Sequence, residues 1–199
     1  VGDPKALPAL LEALINDEDA VVQCSAAGAM AVFGEKAIEY LLQVFDNPQR
    51  SEMQCGLASW GMGFIGAEAP EAIKAAAKSS NPAVRSAAIA ALEDQIQSLE
   101  DKEALSLLIN AISDPFENVQ IEAISLIGRL SPREDLIPTL IQKLKSQNSE
   151  IKKIAALSLM KWEAKESIST LSKIISIEKK KDIKDIFNLA LNKLQNLDT

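Results

Sequence analysis

Apolar residues along this chain recur three or four apart, in blocks short enough to be single helices, and the blocks themselves repeat. Near the start, Asp3-Pro4-Lys5-Ala6-Leu7-Pro8-Ala9-Leu10-Leu11 gives way to a short acidic loop and then to Val22-Gln23-Cys24-Ser25-Ala26-Ala27. Farther on, Asp135-Leu136-Ile137-Pro138-Thr139-Leu140-Ile141 is followed by a polar loop and Ile151-Lys152-Lys153-Ile154-Ala155-Ala156. The period is about 32 residues and runs nearly end to end, as in repeat proteins. A single helical hairpin of this kind cannot bury its apolar stripe alone, so neighbours must stack. The pattern predicts an all-α chain, an α-solenoid of about six helical hairpins covering 3–34, 35–66, 67–100, 101–131, 132–163 and 164–199. It is expected to be one domain over 1–199, right-handed, with first helices on the convex side and second helices lining a groove. Residues 164–199 are expected to be a C-terminal cap, because Ile183, Ile186, Phe187, Ala190, Leu191 and Leu194 keep helical spacing beside a polar face.

The punctuation agrees with this division. Gly34 and Gly66 fall where second helices end, and Gly128 lies near the matching place in the fourth unit. Within hairpins the turns are Asn16-Asp17-Glu18-Asp19, Asp46-Asn47-Pro48, Ser80-Asn81-Pro82, Ser113-Asp114-Pro115 and Gln147-Asn148-Ser149, where Asn, Asp and Ser can cap the following helix and Pro suits its first turn. Second helices open on Val22, Met53, Val84, Val119 or Ile151. A polar residue follows: Gln23, Gln54, Arg85, Gln120 or Lys152. Small residues three positions further on, Ala26, Ala88, Ala123 and Ala155, let helices approach closely, with Leu57 as the exception. The polar positions form a ladder whose structural use is to bridge turns between repeats. Pro8 and Pro138 occupy matching places in first helices and are expected to kink them.

Composition narrows the function classes. Hydrophobic residues make up 47% of the 199, aromatic residues only 4%, which suits a helical repeat chain. No apolar run is long enough to span a membrane, and no signal-peptide pattern opens the chain. Val1 stands where an initiator Met would be, so further sequence is expected ahead of the first hairpin. The net charge is −7, and residues 1–100 carry 6 Lys and Arg against 14 Asp and Glu. That acidic half argues against a nucleic-acid partner. Residues 101–199 carry 15 against 14, and a basic run, Lys179-Lys180-Lys181, is a candidate docking edge within the cap. Cys24 and Cys55 lie one repeat apart, about the 10 Å of helix packing. A disulfide needs less than about 7 Å, so free thiols in a reducing cytoplasm are expected.

The chain has no His, which removes Ser-His-Asp and Cys-His catalysis and His-based metal sites. Gly61-Met62-Gly63-Phe64-Ile65-Gly66 spells a dinucleotide-type glycine motif but lies in a helix with no strand before it. The local oddity is Ser59-Trp60-Gly61-Met62-Gly63-Phe64. Each helix-interior Gly costs about 1 kcal/mol against Ala, beside large apolar neighbours in an aromatic-poor chain. Either the segment packs closely between repeats, or Trp60, Met62 and Phe64 form a groove wall, extended by Met53, Gln54 and Arg85.

Asn81-Pro82-Ala83-Val84-Arg85-Ser86-Ala87-Ala88-Ile89-Ala90-Ala91-Leu92 and Phe64-Ile65-Gly66 resemble HEAT repeats. Within that class, Leu57-Ala58-Ser59-Trp60-Gly61-Met62-Gly63-Phe64-Ile65-Gly66-Ala67-Glu68 is similar to the phycobilin lyase HEAT-like repeat family, the E/F-type lyases and their chaperone-like relatives. The resemblance covers most of the chain, though Gln stands for Arg on several rungs. It implies a lyase subunit or chaperone-like factor assisting attachment of a linear tetrapyrrole (bilin) to a cysteine of a phycobiliprotein. It further implies a transiently held bilin rather than a tightly bound cofactor, a phycobiliprotein subunit as partner, and a second HEAT-repeat lyase subunit. Arg85 would then meet a bilin propionate. Two other classes remain open from the residues alone: a HEAT-repeat protein–protein scaffold without a small ligand, and a stand-alone enzyme using carboxylates.

Overall fold

The computed structural model describes residues 2–197 and is built of helices and turns. Its α-helices are α1 (Leu7–Asn16), α2 (Ala20–Ala31), α3 (Glu35–Gln43), α4 (Glu52–Ile65), α5 (Pro70–Ala76), α6 (Pro82–Ala90) and α7 (Glu93–Gln97), then α8 (Lys102–Ala111), α9 (Glu117–Arg129), α10 (Ile137–Lys143), α11 (Ser149–Lys161), α12 (Ile168–Ile177) and α13 (Lys181–Gln195). The fold is the all-α, HEAT-like α-solenoid class expected from the repeat. The chain forms two compact units, residues 1–122 and 123–199, and the division falls within α9.

In the first unit α1, α3, α5 and α8 make one layer, and α2, α4 and α6 the other. The second helices pack on one another through small residues. Ala26, Ala27, Ala58, Ala87 and Ala88 are all buried, so the helices approach without a large side chain between them. Leu14, Met30, Leu41, Met62, Ile73 and Leu92 fill the space between the layers. In the second unit α13 packs on α11 and α12, burying Ile183, Phe187, Ala190 and Leu194. Trp162 is buried there, and its indole N–H donates to the Leu130 carbonyl at 3.2 Å.

The turn residues cap as their chemistry requires. Asp19, Asn81, Asp101 and Asn148 accept from backbone N–H groups of the helices that follow. Ser51 and Gln54 form a reciprocal capping box at the start of α4. Gly34 and Gly66 do have positive φ, 58° and 27°, but ψ of −136° and −102° takes them out of the left-handed helical well into a corner that favours glycine. The prolines act differently from expectation. Pro8 and Pro138 are not in helix interiors. Each lies in the first turn of its α-helix, after a 3-10 turn (Pro4–Ala6 and Glu134–Leu136), where the missing N–H leaves no bond unmade. The third repeat also differs: its second helix stops at Ala90, and the short α7 follows before α8.

Candidate functional site

The surface feature that stands out is on the second-helix layer of the first unit. Trp60 and Phe64 are four residues apart on α4, hence on one face. They remain 45% and 65% exposed, in an edge-to-face contact with ring centroids 4.6 Å apart. Trp60 lies over Gly28 of α2: a Cβ there would stand 3.5 Å from the ring, at ordinary van der Waals contact. Together with Ser59, Gly63, Ala90 and Ala91 they wall a hollow of about 450 Å³. Glu93 and Asp94, at the start of α7, also line it. Gly63 leaves that hollow open, with nothing within 4 Å of where its Cβ would be. A second hollow of about 520 Å³ shares Ser59 and runs along Cys55, Gly56, Pro82 and Ala83 to Phe116. The two meet at Ser59 as a trough between α4 and α6 whose lining mixes apolar and polar groups, with Glu93, Asp94 and Glu117 along it.

Of the six residues expected along a groove, the structure brings two together, Trp60 and Phe64. Met62 is fully buried, because two residues along a helix is a turn of about 200°, away from the face that Trp60 and Phe64 share. It is core, not wall. Met53 is about half exposed but lines neither hollow. Gln54 is committed at both ends: its amide donates to the Ile15 carbonyl at 2.6 Å, and its oxygen accepts from Ser51 N–H. Arg85 is likewise spent within the fold. Its guanidinium makes two 2.9 Å bonds to the Asp114 carboxylate, donates to the Ser79 and Ser80 carbonyls, and sits 5.5 Å over the Phe116 ring. That leaves it no free donor edge for a propionate. The Arg85 guanidinium holds the Asp114 carboxyl below the usual carboxylate range.

The other rungs show the same use. Gln23 donates to the Asp17 carbonyl and Gln120 to the Asp114 carbonyl, both at 2.7 Å, while Lys152 pairs with Glu178 at 2.6 Å. Gln54, Arg85 and Lys152 thus reach a neighbouring hairpin, as expected of the ladder, whereas Gln23 and Gln120 bond back to the turn of their own hairpin. Both cysteines are unbridged. Cys24 is exposed; burial pushes the half-buried Cys55 thiol up in pKa, partly offset by Arg50. Sequence reasoning missed Glu93 and Asp94, because residues 67–100 read as one uninterrupted hairpin. The available signal was the pair of acids themselves, which favour a helix start.

Stacked helical hairpins with capped turns, close-packed alanines and turn-bridging polar rungs define a HEAT-repeat protein, and residues 105–192 match the HEAT repeats family. The chain belongs to the phycobilin lyase HEAT-like repeat family: it is 41% identical to the bilin biosynthesis protein MpeU of Synechococcus sp. (strain WH8020), over 95% of this chain and 74% of that protein. Among solved structures it resembles an engineered protein (TM-score 0.56, 18% identity, 95% of this chain and 96% of the other). It also resembles computationally designed armadillo repeat proteins for modular peptide recognition (TM-score 0.53, 20% identity, 94% and 99%). Those two likenesses concern the fold alone. No helix among the described residues is long and apolar enough to cross a membrane.

Proposed function

We propose that this chain is a phycobilin lyase subunit or chaperone-like factor that presents a linear tetrapyrrole to a cysteine of a phycobiliprotein. The observation that carries the reading is the 41% identity to a bilin biosynthesis protein across nearly the whole chain. The trough between α4 and α6 suits the task physically. A conjugated pigment offers a flat apolar face, which Trp60 and Phe64 match, and Gly63 leaves the space for it. In this reading Asp94, in the lining of the hollow, would accept from pyrrole N–H groups.

The step is an addition of the client's thiol across a carbon–carbon double bond of the pigment: the C–S bond forms, the S–H bond and that π bond are consumed, the proton ends on a pigment carbon, and nothing leaves. This chain supplies position rather than a nucleophile, so its contribution is proximity and orientation. A phycobiliprotein subunit is the partner that this chemistry requires, and a second HEAT-repeat subunit would complete the surface that holds it. Co-expression with a bilin-producing pathway and phycobiliprotein subunits, with and without this chain, tests the reading. Covalently pigmented client should rise with the chain present and fall with Trp60→Ala. Client solubility that rises with no change in pigment would support chaperoning alone, and no effect on either would sink the proposal.

A further inference from the structure

The loops at one end of the second unit carry a charge that the rest of the chain does not foreshadow. In a chain of net −7, residues 143–153 and 173–185 together hold nine Lys against four Asp and Glu. They border a hollow of about 380 Å³ whose lining includes Leu144, Ile174, Ile177, Lys145 and Lys179. Part of the local charge is neutralised inside the fold. Lys152 is paired with Glu178, and Lys153 with Asp182, both at 2.6 Å. Lys180 donates to the Ser149 hydroxyl at 2.6 Å. Glu178 is saturated further by the Lys179 and Lys180 backbone N–H groups, so it cannot also serve as counter-ion to the lysines at the rim. Lys145 and Lys179 are exposed and form no ion pair among the described residues. Ile177, in the same lining, is 74% exposed.

We infer that this hollow docks an acidic segment of a partner protein, an extended stretch with an apolar side chain flanked by Asp or Glu. The apolar side chain would enter between Ile174 and Ile177, and the flanking carboxylates would meet Lys145 and Lys179. Charge complementarity selects the sign of the occupant, and the apolar lining selects its kind. A nucleic-acid backbone would use the lysines but leave Ile177 facing water, and a long polyanion is opposed by the chain's overall negative charge. A membrane surface would favour a flat basic face rather than a concave one. The inference does not depend on the pigment-handling role, which rests on the first unit.

The test is fluorescence anisotropy on the full chain with a dye-labelled synthetic peptide of alternating Asp/Glu and Leu. Saturable binding is expected, weakened about tenfold by Lys145→Glu combined with Lys179→Glu and weakened by added salt. Replacing the peptide's Leu with Ser should weaken it as well. Both lysines are exposed, so the double variant should keep its helical spectrum. Absence of saturable binding, or binding indifferent to the double reversal or to the loss of Leu, would overturn the inference. So would an oligonucleotide or an anionic phospholipid vesicle that binds through the same lysines while the peptide does not. Displacement of the peptide by free biliverdin would assign the hollow to pigment instead, overturning this inference while leaving the proposed function in place.

Discussion

Gly61 and Gly63 look equivalent in the chain and are opposites in space. At Gly61 a Cβ would stand 3.3 Å from Leu41 and 3.4 Å from the Ala27 carbonyl, so the glycine lets α4 press against α2 and α3. At Gly63 it would meet nothing. Gly61→Ala should therefore lose stability by about 1–3 kcal/mol through overpacking. Gly63→Ala should gain up to about 1 kcal/mol from helix propensity alone. Gly63→Leu should keep the fold and block the hollow beside Trp60, lowering pigmented client in co-expression. Denaturant midpoints of the three variants read the first two effects. A Gly63→Leu protein that folds normally and handles pigment normally would remove this hollow from the site. Trp60→Ala separates in the same way: with the ring 45% exposed, its loss should fall well short of the about 3–5 kcal/mol of a core aromatic.

At the scale of the element, the repeat was legible because each hairpin states its own boundaries. Caps at Asp19, Ser51, Asn81, Asp101 and Asn148, and alanines at fixed spacing, are local chemistry that survives without knowledge of the neighbours. The trough was only half legible. Grouping Trp60, Met62 and Phe64 imposed a two-residue period on a helix, where only positions three or four apart share a face. Reading Arg85 as free ignored a partner 29 positions away, Asp114, which no local pattern pairs with it. The rungs suggest how that element tolerates change. Gln23 and Gln120 each donate to a turn carbonyl and Gln54 to the carbonyl of Ile15 in the last turn of α1, and Arg85 makes equivalent bonds to Ser79 and Ser80 besides its ion pair. Arg85→Gln should keep the bridging bond and cost about 1 kcal/mol. Arg85→Ala, which strips both and leaves Asp114 half-buried without its cation, should cost about 2–3 kcal/mol. Equal losses in thermal or urea unfolding would mean that the carbonyl bridge contributes nothing.

For the whole molecule, charge pairing sets the response to pH, and its sign can be worked out. Lys78 beside Glu103, Arg85 beside Asp114, Lys152 beside Glu178 and Lys153 beside Asp182 hold those carboxyls below their ordinary values; Asp101 is held down by Lys74 and by backbone N–H groups of α8. A carboxyl depressed in the folded state binds protons less readily there than in the unfolded chain. Its stabilisation is complete above the ordinary carboxylate range, near pH 4, and is lost as pH falls through the folded value. On the alkaline side, Lys74 is held above its ordinary value by Glu71, Asp101 and Glu103, so its stabilisation is present below the ordinary lysine range and lost as pH climbs through the raised value. Cys55, raised by burial, adds to that loss once pH passes the ordinary thiol range, whereas burial depresses Lys143, which contributes in the opposite direction as pH approaches the lysine range. No side chain with an ordinary pKa between pH 5 and 8 exists in a chain without His. The urea midpoint should therefore be level from about pH 5 to 8 and should drop below about pH 4. Asp114→Asn should flatten part of the acid limb, because it removes one of the depressed carboxyls. A midpoint that slopes through neutrality, or an acid limb unchanged in Asp114→Asn, would show that these pairs do not govern the molecule's response to acid.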